Sequence, residues 1–75
     1  MPKLPIVSGK ELINILEKLG FISIRQKGSH VILKKVSESG EVGCTVPLHK
    51  ELAIGTLKGI LKQSRVSVDE FLKEI

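Results

Sequence analysis

His30 lies in the stretch RQKGSHVILKK, with Arg25, Lys27, Lys34 and Lys35 no more than five residues away on either side. An imidazole titrates close to neutrality, so it can accept or give up a proton under ordinary conditions. Beside an RNA backbone, such a base would take the proton of a 2′-hydroxyl and let that oxygen attack the adjacent phosphate. Neighbouring cations would draw the phosphodiester in and stabilise charge developing at phosphorus. That route requires no metal. A histidine at a strand end is also often just a solvated polar residue, and residue types alone leave both roles open. His49, in VPLHKEL, is the other histidine. It is a candidate acid for the leaving 5′-oxygen, or else a loop residue that bonds backbone or helps hold a partner protein. Arg25, Lys27, Lys34 and Lys35 form the candidate phosphate-contacting cluster, which Lys58 and Lys62 would extend. Phosphate contacts position a nucleic acid without reading its sequence. Gly28 and Ser29 precede the histidine, and Ser29 either donates to phosphate or shapes the turn.

These side chains need elements to hold them. Ser8 and Glu11 are spaced as a capping box, and Val7 with Leu12 as the accompanying hydrophobic staple. Leu12, Ile13, Leu16 and Leu19 then recur at helical spacing, and Gly20 tolerates the left-handed backbone of a helix end. This predicts a helix over residues 9–19. FISIRQ and HVILKKV alternate as strands around a turn at Lys27-Gly28, SESGE is a looser second turn, and VGCTVP is a third strand ended by Pro47. LHKELAIG shows no clear periodicity. TLKGILKQS returns to helical spacing, and Ser67 with Glu70, Val66 with Phe71, repeat the opening cap and staple. Asp69 and Glu70 suit the start of that last short helix through its dipole rather than as metal ligands. The order is α-β-β-β-α with a short extra helix: an α+β protein with a three-stranded antiparallel sheet and helices on one face.

The hairpin register decides which way His30 points. A two-residue turn at Lys27-Gly28 sets Arg25 opposite His30, Ile24 opposite Val31, Ser23 opposite Ile32 and Ile22 opposite Leu33. Ile22, Ile24, Val31 and Leu33 then share the face that meets the helices. Ser23, Arg25, His30, Ile32 and Lys34 share the other, which places His30 on an open sheet face. A three-residue loop would shift the register by one and bury the imidazole.

Composition narrows the classes. With 75 residues the chain has room for one core, residues 1–75 forming a single domain. Twelve Lys and Arg against eight Asp and Glu give a net charge of +4, which favours polyanionic partners or an acidic protein surface. Two Phe, no Tyr and no Trp argue against modules that stack single-stranded bases on aromatic platforms. The single Cys44 excludes an intrachain disulfide and a cysteine-based metal cluster, and its VGCTV setting marks it as a small core residue. No apolar run approaches the roughly 20 residues that span a bilayer, and the opening MPKLPIVSGKE lacks a signal peptide's apolar core. A cytoplasmic location is expected.

The stretches LEKLGF, RQKGSHVIL, VPLH and GTLKGILKQSRVSVDEF, in that order, closely resemble the HicA toxin family (YcfA-like), small mRNA interferases of toxin–antitoxin pairs. The resemblance runs from about Ser8 to Phe71, and GF followed by RQKGSH is its most specific part. It departs in the more polar segment KKVSESGEVG. The resemblance implies a fold like the double-stranded RNA-binding domain and an endoribonuclease that cleaves mRNA without metal or other cofactor. It also implies a catalytic histidine at His30, within the Gly28-Ser29-His30 motif, and a HicB-like antitoxin that binds and blocks the active surface. Its assignment does not extend to His49. Two alternatives stand beside it: a non-catalytic double-stranded RNA-binding module, and a protein-interaction domain whose charge serves an acidic partner.

Overall fold

The computed structural model describes residues 3–75, in the order α1 (Gly9–Lys18), β1 (Ile22–Lys27), β2 (His30–Ser37), β3 (Gly40–Pro47), α2 (Ile54–Ser64) and α3 (Val68–Lys73). Both helix starts are built as the sequence predicts. The Ser8 side chain accepts from the Glu11 N–H while Glu11 accepts from the Ser8 N–H, and Ser67 and Glu70 repeat the pair. The staple residues Val7, Leu12, Val66 and Phe71 are all buried. At the end of α1 the Phe21 N–H returns to the Leu16 carbonyl at 2.9 Å and the Gly20 N–H to Glu17 at 3.1 Å. Gly20 holds φ +101° between them. This is a Schellman closure, with Phe21 packed into the core behind it.

The strands form an antiparallel meander in the order β1-β2-β3, with β2 central. Its covered face carries Val31, Leu33, Cys44 and Val46, which join Leu12 and Leu16 of α1, Leu57, Ile60 and Leu61 of α2 and Phe71 of α3 in one apolar cluster. The helices thus lie on one face of the sheet, and the molecule measures 18 Å along its shortest axis, the depth of two layers. Leu52, in the connection without periodicity, is buried in the same cluster, and its N–H bonds the Val7 carbonyl at 2.8 Å.

The hairpin register differs from the one expected. The turn is Gly28-Ser29, not Lys27-Gly28, so Lys27 faces His30, Gln26 faces Val31 and Arg25 faces Ile32. A bulge at Ile24 then shifts the pairing, so that Ser23 faces Leu33 and Ile22 faces Lys34. The turn chemistry explains the choice. Gly28 has φ +60° and Ser29 does not share the positive sign, the sequence of signs in a type II′ turn, which wants Gly first. Such a turn matches the twist of the flanking strands. The apolar pattern of β1 could not overrule it, because every residue of this edge strand is exposed. On β2 the expected sidedness holds, with Val31 and Leu33 buried. On β1 it fails: Ile22 is 67% exposed on the open face and Ile24 is 51% exposed at the bulge.

Candidate functional site around His30

His30 is the first residue of the central strand, exposed, with its neighbours along β2 alternating between open and covered faces. It points to the open face, as the sequence predicts, but its cross-strand neighbours are Lys27 on β1 and Pro47 on β3. Side chains directly opposite in an antiparallel pair lie about 5 Å apart at Cβ. Lys27 therefore replaces Arg25 as the cation beside the imidazole. Arg25 sits one open-face position further along, opposite Ile32. Lys27, His30 and Arg25 are exposed and share one end of the open face.

The backbone beneath this end is tied from three directions. The Gln26 side-chain amide donates to the Gly28 carbonyl at 3.1 Å across the turn. The Leu48 N–H donates to the Ser29 carbonyl at 2.7 Å, which fixes the turn to the residue after β3. One residue on, the His49 carbonyl accepts the Gly9 N–H at 2.9 Å. The start of α1 is pressed so closely on the end of β3 that a Cβ on Gly9 would collide with the Pro47 carbonyl. The turn, the end of β3 and the helix start are thus one rigid assembly. Sequence reading gave no weight to Gly9 or Pro47 here. The one available signal was a glycine directly after the helix-capping serine, where a better helix former would ordinarily be preferred.

The remaining candidates divide between the two faces. Lys34 is on the open face, but its ammonium is held by Glu41 at 2.9 Å. Lys35 turns to the covered side, its Nζ 5.9 Å from the ring centroid of Phe21, and so does not join His30. Lys58 and Lys62 are exposed on α2, which packs against the covered face and lies in the other layer from the imidazole. They do not extend the cluster as expected. His49 is exposed in the loop, two residues beyond the cross-strand neighbour of His30. Ser29 occupies the second turn position, and its carbonyl is the acceptor for Leu48.

Away from Lys27 and Arg25, the open face is more apolar than expected, with Ile22, Ile32 and the 76% exposed Val36 on it. Among the described residues, no three His, Cys, Asp or Glu side chains gather in a way that could hold a metal ion. None of the described helices is long and apolar enough to cross a membrane. Cys44 is buried, and burial pushes its thiol up from the ordinary 9.0 to about 11. It is a core residue, as its sequence setting suggests.

Chemically, this end of the sheet offers an accessible imidazole on a rigid backbone, one cation directly beside it and a second nearby. Comparison with curated proteins and with solved structures returned no significant match. A family model described as HicA toxin of bacterial toxin-antitoxin matches residues 9–66, from the first residue of α1 to the staple residue before α3. That span covers well over half of the chain, including all three strands and the Gly28-Ser29-His30 turn. The chain therefore belongs to the HicA toxin family, the toxins of bacterial toxin–antitoxin pairs.

Proposed function

We propose that this protein is an endoribonuclease toxin that cleaves mRNA on the open face of its sheet, with His30 as the general base. The observation that carries the reading is the placement of His30: exposed, at the start of the central strand, next to a two-residue turn and directly opposite Lys27. An RNA strand lying across this end would bring a phosphate to Lys27 and Arg25 and a ribose to the imidazole. His30 takes the proton of the 2′-hydroxyl. The 2′-oxygen bonds to phosphorus, and the bond to the 5′-oxygen breaks as that oxygen gains a proton. The products are a 2′,3′-cyclic phosphate and a 5′-hydroxyl. Lys27 and Arg25 offset the charge that builds on the phosphoryl oxygens. His49 is the candidate donor of the second proton, because the backbone that carries it is tied to Gly9 within two residues of Pro47. A HicB-like antitoxin would neutralise the toxin by covering this face, and the exposed Ile22 and Val36 give a protein cover apolar surface to bury.

The test is incubation of the purified protein with a defined RNA in the presence of a chelator, beside the same sequence carrying 2′-O-methyl groups throughout. The reading expects cleavage of the first, with cyclic-phosphate ends, and none of the second. Cleavage of the methylated strand would refute attack by the 2′-oxygen. Binding of RNA without any cleavage would replace this reading with that of a non-catalytic RNA-binding module.

A further inference from the structure

A groove of about 600 Å³ opens between α1 and the edge strand β1, and His30 does not line it. Its walls are Ile13 from α1, Val31 from β2, Leu48 from the loop after β3, and Ile24. Ile24 is the extra residue of the β1 bulge. Without the bulge, strand alternation from Ile22, which faces open solvent opposite Lys34, would put Ile24 on the open face as well. The bulge thus re-aims a large apolar side chain into the groove, a recognised use of that irregularity. Ile24 remains 51% exposed and Leu48 39% exposed, so the apolar lining is not filled by the described residues. Among the described residues, the charged ones at the groove are Lys10 and Arg25, which borders it from the edge strand that also flanks the imidazole, and no carboxylate lines it.

We infer that this groove is a docking site for a segment of a partner protein that carries one large aliphatic or aromatic side chain flanked by carboxylates. The apolar side chain enters between Ile13, Ile24 and Leu48, and the carboxylates pair with Lys10 and Arg25. A volume of this size lies within the range of about 300–1,000 Å³ typical of ligand pockets. Lone apolar anchors seated in such pockets carry much of the energy of an interface. The charge complement selects an acidic partner over a basic one and sets the orientation of the segment. His30 does not line this groove, although Arg25 borders both sites, and the inference holds whether or not the protein cleaves RNA.

The test is a titration of the ¹⁵N-labelled full chain with a synthetic peptide in which a single Leu lies between pairs of Glu, monitored by amide shifts. Two control peptides replace the Leu by Ala or every Glu by Lys. The expected result is saturable shifts centred on Ile13, Ile24, Val31 and Leu48, with both controls weaker by at least about tenfold. Ile24→Asp and Lys10→Glu each change an exposed position, and each should weaken binding to a similar extent while leaving the rest of the spectrum in place. The inference is overturned if the Leu peptide leaves these residues unmoved at millimolar concentration, or if the Lys-flanked peptide binds as well. It is also overturned if a short RNA moves the same residues instead, or if dilution of the chain alone moves them, since a second copy would then be the occupant.

Discussion

The cations around His30 are not equivalent, although the sequence places all of them close by. Lys27 and Arg25 have exposed side chains beside the imidazole, Lys34 is held by Glu41, and Lys35 lies over Phe21 on the covered side. What separates them is the two-residue period of a strand and one ion pair, and only the period can be read from sequence. Alternation does place Lys34 and Lys35 on opposite faces, yet proximity along the chain groups them together. Cys44 is the residue whose environment was most legible: VGCTV read as core, and it is core. Its raised pKa has a consequence for stability. The unfolded thiol ionises near its ordinary value of 9.0, the folded one only near 11. Between these values the unfolded state loses its proton first, so the contribution of Cys44 is intact below pH 9 and declines as pH rises toward 11. Its slope cannot exceed that of one proton, about 1.4 kcal/mol per pH unit. Denaturant titrations at pH 8.5 and 10.5 should show wild type losing more stability over that interval than Cys44→Ala. Parallel losses would mean that the buried thiol is not involved.

The helices and the hairpin show where sequence reading works and where it does not. Capping boxes and staples are local, so Ser8, Glu11, Ser67 and Glu70 announced two helix starts from the sequence, and the structure has both. Register is not local. The alternation of β1 suggested a buried face, but an edge strand exposed along its whole length has no buried face to enforce it, and the Gly28-Ser29 turn decided the pairing. The sequence pair Gly-Ser is itself a II′ signal, so this information was present and was outweighed by the apolar pattern. The bulge at Ile24 had no comparable signal. A third case is the end of α2, where Arg65 adopts φ 57°, ψ 30° and the Val66 N–H closes on the Leu61 carbonyl at 3.0 Å. That left-handed position costs a non-glycine residue about 1 kcal/mol. Arg65→Gly should therefore raise the unfolding free energy by roughly 0.5–1 kcal/mol, offset in part by the greater freedom of glycine in the unfolded chain. A chemical-denaturation midpoint that falls on substitution would show that the arginine side chain makes a contribution larger than the backbone cost.

At the scale of the whole molecule, two helices and a short third cover one face of a three-stranded sheet and leave the other in water. A chain with net charge +4 places Lys27 and Arg25 at one end of that open face, while Lys58 and Lys62 lie in the opposite layer. RNA affinity should therefore fall with salt, and it should do so through particular residues. For a single strand, each lost phosphate contact lowers the magnitude of the log–log salt slope by about 0.7. Lys27→Ala and Arg25→Ala should each produce that change, Lys34→Ala a smaller one, and Lys35→Ala and Lys58→Ala none. An equal effect from all five would mean diffuse attraction rather than a defined surface. The fold class and the open-face position of His30 were legible in advance, because they rest on caps, alternation and the buried half of β2. The ties from Gly9, Leu48 and Pro47 beneath the turn join segments far apart in sequence, and nothing local marks them. The central claim is that His30 performs the chemistry on this rigid platform. It is tested most directly by single-turnover cleavage of a defined RNA by wild type and by His30→Ala, with both shown to be folded by their amide spectra. The account predicts that the variant keeps the fold and RNA affinity but loses cleavage by about 100-fold or more. A folded His30→Ala protein that cleaves at the wild-type rate would contradict it.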